Sequence, residues 1–276
     1  MCVGTITMKL MRPLGSALAA IVSSATLLMA TAAAAQKCDQ VLAVAYVGSD
    51  QGALTIRVND VTLLRARSSE QPNFVPADLL LEGENTLTIE LTGKDGGTPT
   101  AQAEVFEGCK GEMAQAPGEN DNVLASVALD GGGSDSATFP IGDLPAYSYL
   151  SAGPTEPAGL LEAVDGLIQT VQAKNLEGYL DYMSPMLHDF ALEHPQAEAM
   201  LRQMGGFLIS GPVEVVEPGD LSVRPVLGGR AYEVHDAVGK PPLQFTMPGE
   251  MADTPDELSQ AGIWIKTDDG WKVLRH

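Results

Sequence analysis

The hydrophobic period of this chain changes twice along its length, and that limits the folds open to it. Up to about residue 150, apolar and polar residues tend to alternate, as in half-buried strands. Between Ala158 and Met204 the apolar residues recur every three or four positions, as on an amphipathic helix. After Pro212 the strand period returns. A helical layer between two β regions is expected, packed on the sheet that follows it. Leu160, Leu161, Val164, Leu167, Ile168 and Val171 make one helical stripe, with Thr155 as N-cap and Pro157 in the first turn. Leu176, Tyr179, Leu180 and Met183 continue as a short second helix. Ser184-Pro185 reads as the N-cap and first position of a third helix, whose inner face is Leu187, Phe190 and Ala191. Pro195 breaks it, because proline lacks an N–H and clashes with the preceding turn. Ala197, Met200, Leu201 and Met204 then restore the inner stripe, and Gly205-Gly206 ends it.

The region before this block reads as strands. Val41–Val47 is a continuous apolar run, and Leu54, Ile56 and Val58 alternate up to a turn at Asn59-Asp60, after which Val61 and Leu63 resume. Leu79–Leu81, a turn at Glu82-Gly83-Glu84-Asn85 and the alternation Leu87, Ile89, Leu91 give two more strands. Gly96-Gly97 is a loop, and Ala103 and Val105 lead to Cys109. Met113–Asn122 is a polar surface loop. Val123–Leu129 and Ala137–Ile141 read as a hairpin around the Gly-rich turn from Asp130 to Asp135, and Tyr147–Leu150 as a last strand. Val58-Asn59-Asp60, followed by Leu80, Gly83, Asn85, Leu87 and Ile89, resembles the pattern of galactose-binding-like β-sandwiches. That resemblance implies a sandwich in which Gly and Asn build a turn, not a sugar site. Tyr46, Phe74 and Phe106 are the only rings between Cys38 and Cys109.

Beyond the helices, strands are expected at Val213–Val216, Leu221–Val226, Arg230–His235, Leu243–Met247, Gly262–Lys266 and Trp271–Arg275. Gly228-Gly229 and Asp268-Asp269-Gly270 are the hairpin turns. Thr254-Pro255-Asp256-Glu257 fits a capping box, which accounts for that acidic cluster without a metal. Helices followed by a meander that closes on Gly262-Ile263-Trp264-Ile265-Lys266 and Asp269-Gly270-Trp271-Lys272-Val273 resemble the nuclear transport factor 2-like, or ketosteroid-isomerase-like, cone. The likeness spans about Thr155–His276. It implies a curved antiparallel sheet wrapped around helices, in a family with both enzymes and non-catalytic modules. The fold class expected is therefore a β-sandwich domain over residues 36–150, then an α+β cone-like domain over residues 155–276. The Ser151–Pro157 connector holds two prolines and a glycine.

Lys9 and Arg12, the apolar run Leu14–Ala30 and Ala33-Ala34-Ala35 have the order of a secretory signal, with Met8 as an alternative start. The competing reading is an uncleaved anchor, since no charge lies between Arg12 and Lys37. No later stretch is long enough to span a bilayer. Loss of residues 1–35 removes two basic residues and no acid, which moves the formal charge from −20 to −22. Such a field repels nucleic acid and anionic lipid, so neither is expected as a partner. Cleavage would leave Cys38 and Cys109, which flank the first and last of the strands before the loop. In an oxidising compartment they would form one disulfide, worth about 4 kcal/mol on the chain-entropy model.

Sequence motifs for chemistry are sparse. G-x-S-x-G, H-E-x-x-H, paired-cysteine and dinucleotide patterns are all missing. Asp130 and Asp135 sit in a glycine-rich loop and read as turn residues rather than calcium ligands. No metal or cofactor is expected. Tyr179, Tyr182, Tyr232 and Trp264 are the candidate ligand-binding residues, although Tyr at helical spacing also suits a core. His188 adjoins Asp189, but adjacent helical residues do not face each other. His235 shares a strand face with Glu233, opposite Tyr232 and Val234. Two readings stand: an exported, periplasmic or secreted, non-catalytic protein that binds a small molecule or an envelope protein, and an isomerase or dehydratase that uses Tyr182 or His188 as acid or base in the cone. The exported protein should begin near Gln36, as intact-mass analysis of the periplasmic fraction can show. A chain retaining residues 8–35 would refute the cleaved signal.

Overall fold

The computed structural model describes residues 40–48, 52–67, 73–76, 79–93, 98–109, 115–194, 196–210, 214–216, 218–246 and 259–275. The signal-like segment, Cys38 and the capping-box sequence Thr254–Glu257 lie outside them. Residues Cys38–His276 make one compact unit, built mainly of antiparallel sheet with a smaller helical part.

Among the described residues, the first half contains eight strands in two four-stranded sheets. Strands β1 (Gln40–Gly48), β4 (Asn73–Pro76), β6 (Thr100–Cys109) and β7 (Val123–Asp130) pair in the order β4-β1-β6-β7. Strands β2 (Gly52–Val58), β3 (Val61–Arg67), β5 (Gly83–Gly93) and β8 (Gly133–Ile141) pair in the order β3-β2-β5-β8. Alternate residues of both sheets meet in one apolar cluster: Val44, Ile56, Leu87, Ile89, Val105 and Phe139 are all buried there. The alternation read from the sequence is thus the inward–outward alternation of the pleat. β1 and β6 run antiparallel with Gln40 opposite Cys109, so the two ends expected to be stapled do lie together.

Three expectations fail here. Leu79–Leu81 is a bend, not a strand, with Leu79 at φ 55°. β7 and β8 are strands but not a paired hairpin. β7 lies on β6 and β8 on β5, so the turn between them carries the chain from one sheet to the other. Gly131 and Gly133, at φ 109° and 143°, allow that crossing. Tyr147–Leu150 is not a strand either, because Ser148–Ser151 forms a single helical turn, α1. Tyr147 stacks on Tyr149 there, with ring centroids 5.6 Å apart.

A pair of buried asparagines organises the end of the first half. Asn59 and Asp60 both have positive φ, 51° and 67°, as a two-residue turn between twisted strands requires. Asn59 Nδ2 donates to Asn85 Oδ1 at 2.7 Å and to the Leu79 carbonyl at 3.1 Å, while Asn59 Oδ1 accepts from Thr86 N–H at 3.1 Å. Asn85 Oδ1 also accepts from Leu81 N–H at 2.7 Å, and Asn85 Nδ2 donates to the Leu81 and Gly83 carbonyls. The bend at 79–82 therefore takes hydrogen bonds from the Asn59 and Asn85 side chains instead of a neighbouring strand. The Asn59 carbonyl accepts from Leu227 N–H at 2.9 Å, which carries the knot into the second half.

The second half holds helices α2 (Leu160–Gln172), α3 (Leu176–Tyr182), α4 (Ser184–Glu193) and α5 (Ala197–Ser210). Two sheets accompany them. One has β10 (Ser222–Val226), β11 (Ala231–His235), β14 (Ile263–Thr267) and β15 (Gly270–Arg275) in that order. The other has β13 (Ser259–Gln260), β12 (Leu243–Thr246) and β9 (Glu214–Val216). Leu160, Val164, Leu167, Ile168 and Val171 of α2 pack into one cluster with Tyr232, Trp264, Trp271 and Val273 of the larger sheet. Val226, Ala231, Ile263, Ile265 and Leu274 form a separate cluster with Val61, Leu79 and Tyr149 from the chain before the connector.

The helix ends differ from expectation. α2 starts after Gly159 (φ 76°), not after Thr155, whose N–H is bonded to the Gly229 carbonyl and whose carbonyl accepts the Tyr232 hydroxyl. Met183, not Ser184, is the N-cap of α4, because the Ser184 hydroxyl turns back to the Asp181 carbonyl at 2.8 Å. The buried positions of α4 are Pro185, Met186 and Asp189, while Leu187, Phe190 and Ala191 are only partly covered. Gly205-Gly206 does not end α5, which continues to Ser210. A Cβ at Gly205 would lie 2.9 Å from the Tyr179 ring, so that glycine permits a close approach of helices rather than a stop. α5 also faces the other way: Met200 and Met204 are 48% and 45% exposed, and Gly205 and Ile209 are buried.

Asn85→Ala should cost about 3 kcal/mol, since it strands buried donors and acceptors that water cannot reach. Urea unfolding of the variant beside the parent measures this. A loss under about 0.5 kcal/mol, the size of an ordinary surface change, would show that the knot is not needed.

Candidate functional site

The four aromatic candidates come together, but inside a core. Tyr179, Tyr232 and Trp264 are buried in the helix–sheet cluster, and Tyr182 packs against it. Tyr182 meets Trp264 edge-on with centroids 6.2 Å apart, and Tyr232 meets Trp271 edge-on at 5.7 Å. The polar ends of Tyr179, Tyr232 and Trp264 are occupied by the protein itself. Tyr179 Oη donates to Gln260 Oε1 at 2.8 Å, Tyr232 Oη to the Thr155 carbonyl, and Trp264 Nε1 to the Ala261 carbonyl at 2.6 Å. Burial pushes the Tyr179 phenol up to about 12, and raises Tyr232 with help from the Glu156 charge. Lys272 Nζ reaches Asp181 Oδ2 at 2.5 Å and lies 5.7 Å from the centre of the Tyr182 ring. The sequence offers no signal for that pair, because 91 positions separate its members.

A cavity of about 1010 Å³ lies elsewhere. It is an open groove bounded by Leu144–Ser148 and Leu150–Thr155 ahead of and within the connector, by Glu82, by Pro185 and His188 of α4, and by Ile265–Asp268 at the β14–β15 turn. None of the four aromatics lines it. Its ionisable groups are Glu82, Tyr147, His188, Lys266 and Asp268. Arg230 holds one wall from behind, donating to the Leu150 and Ala152 carbonyls at 2.9 and 3.1 Å. A smaller cavity of about 370 Å³ lies by Val47, Gln102 and Leu129.

His188 and Asp189 part company, as helical neighbours do. His188 is exposed at the groove, whereas Asp189 is 1% exposed. Asp189 Oδ1 accepts the Ser148 N–H at 2.7 Å, which pins α1 to α4, and Oδ2 has no hydrogen-bond partner. Burial raises the Asp189 carboxyl above its ordinary value, against the hydrogen bonds from Ser148 and the charges of Arg275 and His188. A lone acid on a helix with only a shallow apolar stripe gives little warning of such burial. His235 lies half-buried, its Nδ1 2.9 Å from the Asp236 carbonyl.

Cys109 is disulfide-bonded, and its expected partner Cys38 is outside the described residues. Among the described residues there is no group of three or more His, Cys, Asp or Glu side chains placed to hold a metal ion. Among them also, no helix is long and apolar enough to cross a membrane. No protein-family model, curated protein or solved structure matches this chain.

The raised Asp189 carboxyl has a stability consequence with a definite sign. The folded state holds this proton more tightly than the unfolded state, so stability falls as pH rises from the ordinary value of 3.8 towards the folded one. Asp189→Asn keeps an acceptor for Ser148 and removes the charge. It should melt above the parent at pH 7, and the difference should shrink below pH 3.8. Calorimetric melts of both proteins across that range would decide, and a variant that melts lower at pH 7 would show that the charge is needed.

Proposed function

We propose that this is an exported, non-catalytic binding or assembly protein of the cell envelope, with a β-sandwich module followed by an α+β cone-like module. The observation that carries this reading is the filled interior of the second module. A cone enzyme holds its substrate between helices and sheet. Here that space is taken by Leu160, Leu167, Met183 and Trp264, each no more than 2% exposed. Tyr179 and Tyr232 beside them spend their hydroxyls on internal acceptors, Gln260 and the Thr155 carbonyl. The signal-like leader, the paired-cysteine expectation and the strongly acidic surface suit an exported protein.

Titration with cyclic ketones and enones of increasing size tests the closed interior, read by quenching of the Trp264 and Trp271 fluorescence. The intact protein should show no saturable quenching and no turnover. Trp264→Ala should lose about 3–5 kcal/mol of stability and gain binding of indole in the space created. Saturable binding with turnover by the intact protein would favour the isomerase or dehydratase reading instead.

A further inference from the structure

Helix α5 is apolar on two sides. One side is the buried contact, with Gly205 against the Tyr179 ring and Ile209 in the core cluster. The other carries Met200, Met204 and Phe207, which are 48%, 45% and 51% exposed. At about 100° per residue these three fall within an arc of about 60°, and Gly205 and Ile209 lie across the helix from them. The stripe is about 10 Å long at 1.5 Å per residue. Scattered exposed apolar residues are ordinary, but three on one helical stripe form a continuous surface of the kind used for docking. Two of the three are methionines, whose flexible thioethers adapt to varied partners. The spacing of Met200, Met204 and Phe207 matches the face that one amphipathic helix presents to another.

Charge selects the occupant. The chain carries 36 acidic residues against 16 basic ones, a formal charge of −20. A second copy would bring an equal negative charge to the surface, and an anionic bilayer would be repelled in the same way. A basic segment would be drawn in by the same field. Arg202 of α5, which pairs with exposed Glu177 at 2.9 Å, falls on the far side of the helix from the stripe.

We propose that the Met200–Met204–Phe207 face of α5 is the docking site for a basic amphipathic helix of a partner protein. This rests on the assembly reading above and names its surface. The test uses the mature full-length protein and a fluorescein-labelled 18-residue peptide with leucine on one helical face and lysine on the other. Binding is followed by anisotropy at physiological salt. The double variant Met204→Ser, Phe207→Ser should weaken binding at least tenfold. Leu161→Ser, which changes a residue of similar exposure on α2, should change it less than twofold. A matched peptide with glutamate in place of lysine should bind at least tenfold more weakly than the basic one. Thermal melts confirm that both variants remain folded, as expected for exposed positions. Equal binding by the double variant, an equal loss in the α2 control, or equal affinity for the acidic peptide would each overturn the proposal. So would a dimer, seen by sedimentation, that the double variant abolishes. A negative result here leaves the ketone titration unaffected, so failure of this surface and failure of the non-catalytic reading are separable.

Discussion

The buried amide pair Asn59–Asn85 is the interaction on which the two halves of the chain most visibly depend. A bend at 79–82 that is not a strand must still satisfy its backbone groups, because buried unpaired amides and carbonyls are costly. Two side chains do so, and Asn85 is 1% exposed while it does. The same bend presents the Leu80 carbonyl to the Tyr149 hydroxyl at 2.8 Å and Leu79 to the cluster shared with the second half. The turn at Asn59 presents its carbonyl to Leu227 N–H. The amide pair thus lies between two contacts that join the halves.

A charged clamp reinforces this seam. Glu233 is buried on the face of β11 turned away from Tyr232 and Val234, and is paired with Arg224. It also accepts from Thr62 Oγ1 at 3.2 Å and lies 3.9 Å from Arg65. Arg65 in turn donates to the Gly239 carbonyl at 2.8 Å. That carbonyl belongs to a turn shaped by Asp236, whose carboxylate accepts the N–H groups of Val238 and Lys240 at 2.9 Å each. Burial alone would raise the Asp236 carboxyl, but these hydrogen bonds and that from Gln244 hold it below its ordinary value. A buried carboxylate with several donors specifies how two surfaces meet more than it adds to stability, since desolvation offsets much of the attraction.

The closed interior and the outward stripe of α5 have a common origin. Gly166 brings α2 close to Tyr182, since a Cβ there would lie 2.5 Å from the hydroxyl, and Gly205 brings α5 close to Tyr179 in the same way. Close helix approach lets the tyrosine rings fill the space that a cavity would otherwise occupy. It also means that α5 contacts the core through a glycine and an isoleucine, which leaves its methionines on the surface. The potential binding surfaces are therefore outside the helix–sheet core, at the connector groove and on the outer face of α5.

Much of the architecture was legible in the chain, because period depends only on which residues face a core. The alternation at Leu54, Ile56, Val58 and at Leu87, Ile89, Leu91 marked real strands, and the stripe from Leu160 to Val171 a real helix. The Asn59-Asp60 turn was legible too, since a left-handed pair of residues has few chemical solutions. What tertiary structure decided is which partner each element takes. Period two shows that Val123–Leu129 and Ala137–Ile141 are strands, but not that they pair in different sheets. The helical period of α5 places Met200 and Met204 on a common stripe, but packing alone chose which side of that helix would face inward. The aromatic residues were marked as a cluster by type, yet whether Tyr179, Tyr182, Tyr232 and Trp264 surround a space or fill one depends on how closely their helices approach. That distance is set by glycines whose role appears only once the helices are packed.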